Sequence, residues 1–273
     1  MAAPGNITEP KGITRHLLRL NSWLVFVFFY APIVILVIFS FSDNRNVGVW
    51  GGLTFDWYRD FANNEPIKGA LTNSLQIAVV STLVAVVLGT LAALALERFT
   101  FRGRKVFDAL LYLPIIIPDV TMAVMMLLFF AQLAQWFEFT KGFGTIVISH
   151  IAFNISFVSV VVRARLAGSD ERLEEAAMDL YASRWQAFRY VTLPLIMPGI
   201  LGGALLAFTL SLDDVVITQF VTGPGWDTLP VFVFGLIRKG VTPLINAVSV
   251  VMLVASTLLV ALSLFIQRAR STD

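Results

Sequence analysis

Six apolar runs, each about the length of a membrane-crossing helix, constrain this 273-residue chain more than any other feature. A helix needs about 20 apolar residues to cross roughly 30 Å of hydrocarbon, where an unpaired peptide group finds no partner. The runs lie at about 23–41, 75–96, 107–133, 145–162, 195–220 and 245–266. Pro114 and Pro118 break the third, and Pro198, Gly199, Gly202 and Gly203 lie near the start of the fifth. The first exceeds the ~7–15 apolar residues of a cleaved signal, and no small-residue cleavage site follows it, so it is expected to remain a span. Composition agrees: 14% of residues are charged, against about a quarter in soluble domains. The expected fold is therefore an all-α, polytopic transmembrane helical bundle of six spans, one domain over residues 1–273.

Lys and Arg orient the spans. Lys11, Arg15 and Arg19 precede the first, and Arg98, Arg102, Arg104 and Lys105 follow the second. Arg163, Arg165, Arg172, Arg184 and Arg189 follow the fourth, and Arg268 and Arg270 close the chain. The alternate segments hold only Arg45, Arg59, Lys68, Lys141, Arg238 and Lys239. Because positive charge is retained inside, both termini are expected in the cytoplasm. The outer segments, about 42–70 and 221–244, carry Trp50, Trp57, Tyr58 and Trp226 among glycines and prolines. Such rings serve as headgroup anchors or as a surface for an external partner.

Several chemistries are excluded. No cysteine occurs, which removes disulfides and thiolate chemistry. His16 and His150 are too few and too distant in sequence for a zinc centre. The net charge of +2 follows from basic residues flanking apolar runs rather than from a nucleic-acid-binding face.

The polar block at about 163–194 interrupts this pattern. Residues 169–193 read as two short helices joined by a turn. Ser169 is the expected N-cap, with Asp170 and Glu171 complementing the helix dipole. Leu173, Ala176, Ala177 and Leu180 form one apolar stripe opposed by Glu174, Glu175 and Asp179. Ser183 and Gln186 fit a capping box before Trp185 and Phe188, and Pro194 ends the second helix or marks entry to the fifth span. The block is either a connector lying on the membrane surface or a helix that inserts into a groove of a cytoplasmic protein. Its acidic first helix suits an anionic leaflet poorly.

The run Glu175, Ala176, Ala177, then Leu180, Ala182, Ser183, Phe188, Val191, Leu193 and Pro194 resembles the EAA loop of bacterial ABC importer permeases. The resemblance implies a type I importer permease fold, with this loop docking on a dimer of ATPase subunits. It also implies a second permease subunit and an external solute-binding protein. The family usually has Gly where this chain has Tyr181, so a differently shaped turn is expected there. No GxxxxGK[ST] phosphate loop occurs, so ATP is expected on a partner subunit, with no cofactor on this chain and no enzyme activity of its own.

Carboxylates inside spans are costly and mark functional sites. Asp119 stands in IIIPDV, and Asp213 and Asp214 stand in SLDDVV. Asp119 is also a candidate cap for a half-helix after Pro118. Asp213 and Asp214 would point ~100° apart on a regular helix, so one faces a cavity while the other caps or pairs. Asp108 is expected to be solvated or paired at a span end. Carboxylates with no Lys or Arg deep in any span favour a cationic cargo over an anion. FTLSLDDVVITQFVTGP, IIIPDV and YAPIVILVIFSF together resemble spermidine/putrescine permeases of the bacterial inner membrane. Polyamine import is thus expected, with Tyr30, Trp57 and Trp226 as candidate cation–π rings. The alternatives are ferric iron, an opine or an amino acid as cargo, or a scaffold without transport.

Overall fold

The computed structural model describes residues 13–170, 172–240 and 242–270. Twelve helices are described, and they divide into two compact units. Met1–Ala62 with Val241–Leu253 form the first, and Asn63–Gly240 with Val254–Asp273 form the second.

In the first unit α1 (Ile13–Phe39) continues through Pro32, and the most apolar window of its span is 0% buried. A short loop then leads to α2 (Asp56–Asn63). Hydrogen bonds to two serines fix this loop. Ser40 Oγ lies 2.7 Å from Tyr58 Oη, and Trp57 Nε1 donates to the Ser42 carbonyl at 2.8 Å. The start of α12 (Pro243–Arg270) belongs to the same unit.

The second unit is built on α3 (Glu65–Arg98), α6 (Phe143–Leu166) and α9 (Leu193–Asp213). Asn64 caps α3 by accepting the Ile67 N–H at 3.2 Å, and Pro66 falls in the first turn, where no N–H partner is needed. Small residues bring these helices close. Ala85, Ala93, Val158, Ile196 and Ala207 are fully buried, and a Cβ placed on Gly89 would lie 2.8 Å from Val158. Close backbone approach of this kind replaces the hydrophobic drive that lipid cannot supply.

The third apolar run is two helices, α4 (Arg104–Ile116) and α5 (Asp119–Ala134), bent by 113°. The sequence-based break is present, and it falls at Pro118; Pro114 remains inside α4. Ile117, forced out of helical geometry by the proline that follows, has φ −72° and ψ 135°.

The fifth run differs from expectation. It ends as a helix at Asp213, and a separate short helix, α10 (Val216–Val221), follows. At its other end Pro194 does not stop the helix. Helix α8 (Arg184–Ala187) passes through a π-helical turn at Phe188–Thr192 into α9, where Pro194 occupies the opening turn. Leu193 N–H bonds the Phe188 carbonyl five residues back. This widened turn admits a proline without orphaning an acceptor.

Among the described residues four helices are long and apolar enough to cross a membrane, and the α4–α5 pair makes a fifth if counted as one broken span. The six-span expectation is compatible with this, since Pro243–Leu258 of α12 is a further apolar stretch. Helix α7 (Arg172–Asp179) carries the acidic block, and α11 (Leu229–Lys239) lies within residues 221–244.

Candidate functional site

Both helix breaks open on one cavity of about 320 Å³. Pro114, Asp119, Met122, Phe153, Phe157, Leu210, Asp213 and Asp214 are among its walls. The three carboxylates picked from sequence, 94 positions apart at their nearest across the two breaks (Asp119 to Asp213), therefore share one space. Adjacency on a regular helix would have kept Asp213 and Asp214 apart. They meet the same cavity because α9 ends between them: Asp214 has extended geometry, with φ −67° and ψ 124°.

Their surroundings differ. Asp119 is the first residue of α5 and makes no cap; the backbone carbonyl of Pro118 receives the Thr121 and Met122 N–H groups instead. Asp119 and Asp213 are both exposed. Asp214 is the capping carboxylate. Its Oδ1 accepts the Ile217 N–H at 3.3 Å, and its Oδ2 accepts the Thr218 N–H and hydroxyl, each at 2.7 Å. Only 11% of its side chain is exposed.

Of the aromatic candidates, Trp226 shares a unit with this cavity and does not line it. Trp226 packs on Phe143 with ring centroids 5.1 Å apart and is not among the lining residues. Tyr30 stacks on Phe26 along exposed α1, and Trp57 is held by Ser42; both belong to the first unit. The rings beside the carboxylates are Phe153 and Phe157, one turn apart on α6. Their four-residue spacing is the one signal in the sequence that pointed to them.

His150, one turn before Asn154 on α6, is a polar site that sequence reading passed over. It is fully buried, with Nδ1 2.7 Å from Ser211 Oγ and Nε2 2.9 Å from Thr218 Oγ1. Among the described residues no three His, Cys, Asp or Glu side chains gather as metal ligands.

The opposite end of the second unit carries the polar block. Arg163 donates to Glu97 at 2.8 Å and to Asp108 at 2.5 Å, so Asp108 is the paired span-end residue expected. Arg98 donates to Glu174 at 3.0 Å, tying α7 to the end of α3. Ser169 is not the cap of α7: its hydroxyl donates back to the Leu166 carbonyl, and Asp170 Oδ1 accepts the Arg172 N–H instead. Glu171 lies outside the described residues. Ser183 and Gln186 form the expected capping box.

The turn between α7 and α8 is left-handed in spite of its tyrosine. Tyr181 has φ 68°, the only positive φ at a non-glycine among the described residues. Its N–H bonds the Met178 carbonyl and the Ala182 N–H bonds the Ala177 carbonyl, the two bonds of a Schellman closure. The expectation of a differently shaped turn is overturned, because backbone bonding outweighs the side chain's preference. Around it Leu180, Tyr181 and Trp185 are 82%, 98% and 65% exposed, and Glu175 and Ala176 are exposed too. Trp185 lies against Phe188, with centroids 5.6 Å apart.

A match to the family described as "Binding-protein-dependent transport system inner membrane component" covers residues 85–271. The chain is 44% identical over 233 residues to the putrescine transport system permease protein PotI of Escherichia coli K12, covering 84% of this chain and 83% of that one. It is 39% identical over 247 residues to the spermidine/putrescine transport system permease protein PotC of the same strain, covering 90% and 92%. Its fold is similar to a chain of the crystal structure of a bacterial ABC transporter for the acidic polysaccharide alginate. The TM-score is 0.77 at 20% identity, over 94% of this chain and 95% of that one.

Proposed function

The chain belongs to the binding-protein-dependent transport system inner membrane component family, and on that premise we propose that it is a permease subunit of an ATP-driven importer of putrescine or spermidine. The convergence of Asp119, Asp213 and Asp214 on a cavity walled by Phe153 and Phe157 carries the reading. Polyamines are flexible chains with ammonium groups at intervals. Carboxylates at separate points of one cavity hold such groups, while aromatic faces attract the cation and cover the methylenes between. No described Lys or Arg lines this cavity, which disfavours an anion.

Energy comes from outside the chain. ATP is bound and hydrolysed by a pair of partner subunits, which meet this chain at Glu175, Ala176, Ala177, Leu180, Tyr181, Ser183, Trp185, Phe188 and Pro194. The exposed apolar side chains there support a protein partner over solvent. The Arg98–Glu174 pair passes a push on α7 to the end of α3, and the helix through Phe188–Thr192 passes it to α9. A second permease subunit and an external binding protein complete the assembly, with both termini of this chain in the cytoplasm, as its Lys and Arg placement supports.

The test is uptake of radiolabelled putrescine and spermidine by cells lacking this chain and any redundant system. Uptake should be lost and then restored by the intact gene. Retained uptake overturns the reading, and competition by ferric iron, opines or amino acids instead of diamines would reassign the cargo.

A further inference from the structure

We infer that His150 is a positioning residue for the cavity: it holds Asp214 in its capping role, and so leaves Asp213 and Asp119 as the carboxylates that meet the cargo. This rests on the transport reading above, and goes beyond it by dividing the three acids into one structural and two cargo-facing groups.

The Nε2 side of His150 assigns itself by counting donors. The Thr218 hydroxyl sits 2.7 Å from Asp214 Oδ2, and a carboxylate only accepts, so that hydroxyl donates its one proton there. The oxygen of Thr218 is then left to accept from His150 Nε2, 2.9 Å away, which must therefore carry a proton. On the other side of the ring, Nδ1 lies 2.7 Å from Ser211 Oγ, and Ser211 Oγ lies 3.1 Å from Ser81 Oγ, whose hydroxyl also reaches the Ala78 carbonyl at 3.3 Å. The series of contacts runs from Ser81 on α3, through Ser211 on α9 and His150 on α6, to Thr218 on α10 and finally Asp214.

Every member but the last is buried: Ser81, His150 and Thr218 have no exposure and Ser211 has 2%. The series thus fastens the short helix α10 to three core helices at the point where α9 has stopped. Chains of this kind polarise each bond in turn, and losing an interior member strands the groups on both sides. His150 Nε2 also lies 3.4 Å from Asp214 Oδ2, the oxygen that accepts the Thr218 N–H and hydroxyl. With Oδ1 accepting from Ile217, three of the roughly four acceptor positions of the Asp214 carboxylate are taken within the chain. Asp213, one residue earlier, makes none of these bonds and stays open to the cavity. The distance between Asp213 and Asp119, and with it the preferred length of a diamine, depends on how the α9–α10 break is held.

Two measurements on the full transporter in lipid nanodiscs test this. The first is ring nitrogen NMR with labelled histidine in a His16→Gln background, so that only His150 of this chain reports. A proton on Nε2 is expected, and a ring protonated only on Nδ1 overturns the assignment whatever the cargo proves to be. The second is uptake of diamines of three to six carbons. His150→Ala should raise KM about ten-fold and flatten the dependence on chain length, with Vmax changing much less. His150→Gln, whose amide reaches toward Thr218, should restore the length preference. If His150→Ala lowers Vmax alone and keeps the length profile, the residue is structural only and the inference fails. If the intact transporter takes up no diamine, the transport reading fails while the proton assignment still stands or falls by NMR.

Discussion

The two helix breaks beside the cavity deliver carboxylates by opposite means. At Ile117–Pro118 the backbone makes the break: proline bars its predecessor from helical geometry, and no side chain is consumed. Asp119 therefore remains open. At Asp214–Val215 no residue forbids the helix, and the break is held by a side chain that accepts three donors from the next helix. That carboxylate is occupied, and its neighbour Asp213 is the open one. A break written in the backbone leaves its acid free, whereas a break written in a side chain uses one acid and frees another.

The largest effect that probes this difference is on stability. Asp214→Ala removes the acceptor of the Ile217 and Thr218 N–H groups and of the Thr218 hydroxyl, in a site where water hardly reaches. Stranding buried donors costs about 1–3 kcal/mol each, with partial relief by local relaxation, so a loss of roughly 3 kcal/mol is expected. Thermal unfolding of the purified complex measures it. If Asp214→Ala unfolds like the unaltered chain, the side-chain account of this break is wrong.

Asp213→Asn and Asp119→Asn should behave in the contrary way. Neither carboxylate accepts a hydrogen bond that holds a helix end, so stability should move by less than about 0.5 kcal/mol. Losing a charged partner for an ammonium group is worth about 1.5–3 kcal/mol, which corresponds to a rise in KM of about 10- to 100-fold. Concentration dependence of initial uptake checks this. Equal behaviour of Asp213→Asn, Asp119→Asn and Asp214→Ala would erase the distinction between the breaks.

The same distinction explains what could be read from the sequence. Pro118 announces its break because the restriction is local to two residues. Ser183 and Gln186 announce the start of α8 for the same reason, since a capping box is complete within four. Asp214 gave no such sign. An Asp-Asp pair inside FTLSLDDVVITQF fits a continuous helix, and the groups that hold it open include His150, 64 positions earlier and on another helix. Ser169 misled through proximity: Asp170 offers the same capping chemistry one residue closer to α7. The π-helical turn before Pro194 needed coordinates too, because sequence says only that proline breaks the usual bond and not which wider turn absorbs it. Tyr30, Trp57 and Trp226 are the cation–π candidates in the sequence, whereas the rings that line the cavity are Phe153 and Phe157.

Pro118→Ala tests the backbone-made break with a smaller effect. The variant gives the unfolded chain more freedom and removes the bar on Ile117, lowering stability by about 0.4–1 kcal/mol. Because the bend itself should relax, the consequence for uptake should exceed the consequence for melting, as Asp119 turns away from Asp213. A cysteine pair at positions 116 and 120 in this cysteine-free chain would report the bend through spin-label distances. An unchanged distance in Pro118→Ala would mean that packing, rather than proline, sets the angle.

Tyr181 offers the smallest and sharpest case, a turn made against its own residue. An L side chain in the left-handed region costs about 1–2 kcal/mol, but a glycine there would forfeit about 0.5–1 kcal/mol to the unfolded chain's extra freedom. Tyr181→Gly should therefore stabilise the protein by only about 0.5 kcal/mol, because the Met178 and Ala177 carbonyls close the turn in either case. The ring is 98% exposed, so its removal takes no packing from the chain itself. A Tyr181→Gly protein that melts slightly higher but couples ATP hydrolysis to uptake less tightly would show that the strain is maintained for a contact outside the chain. One that melts lower would show that the ring, and not the backbone bonds, holds this turn, placing it with Asp214 rather than with Pro118.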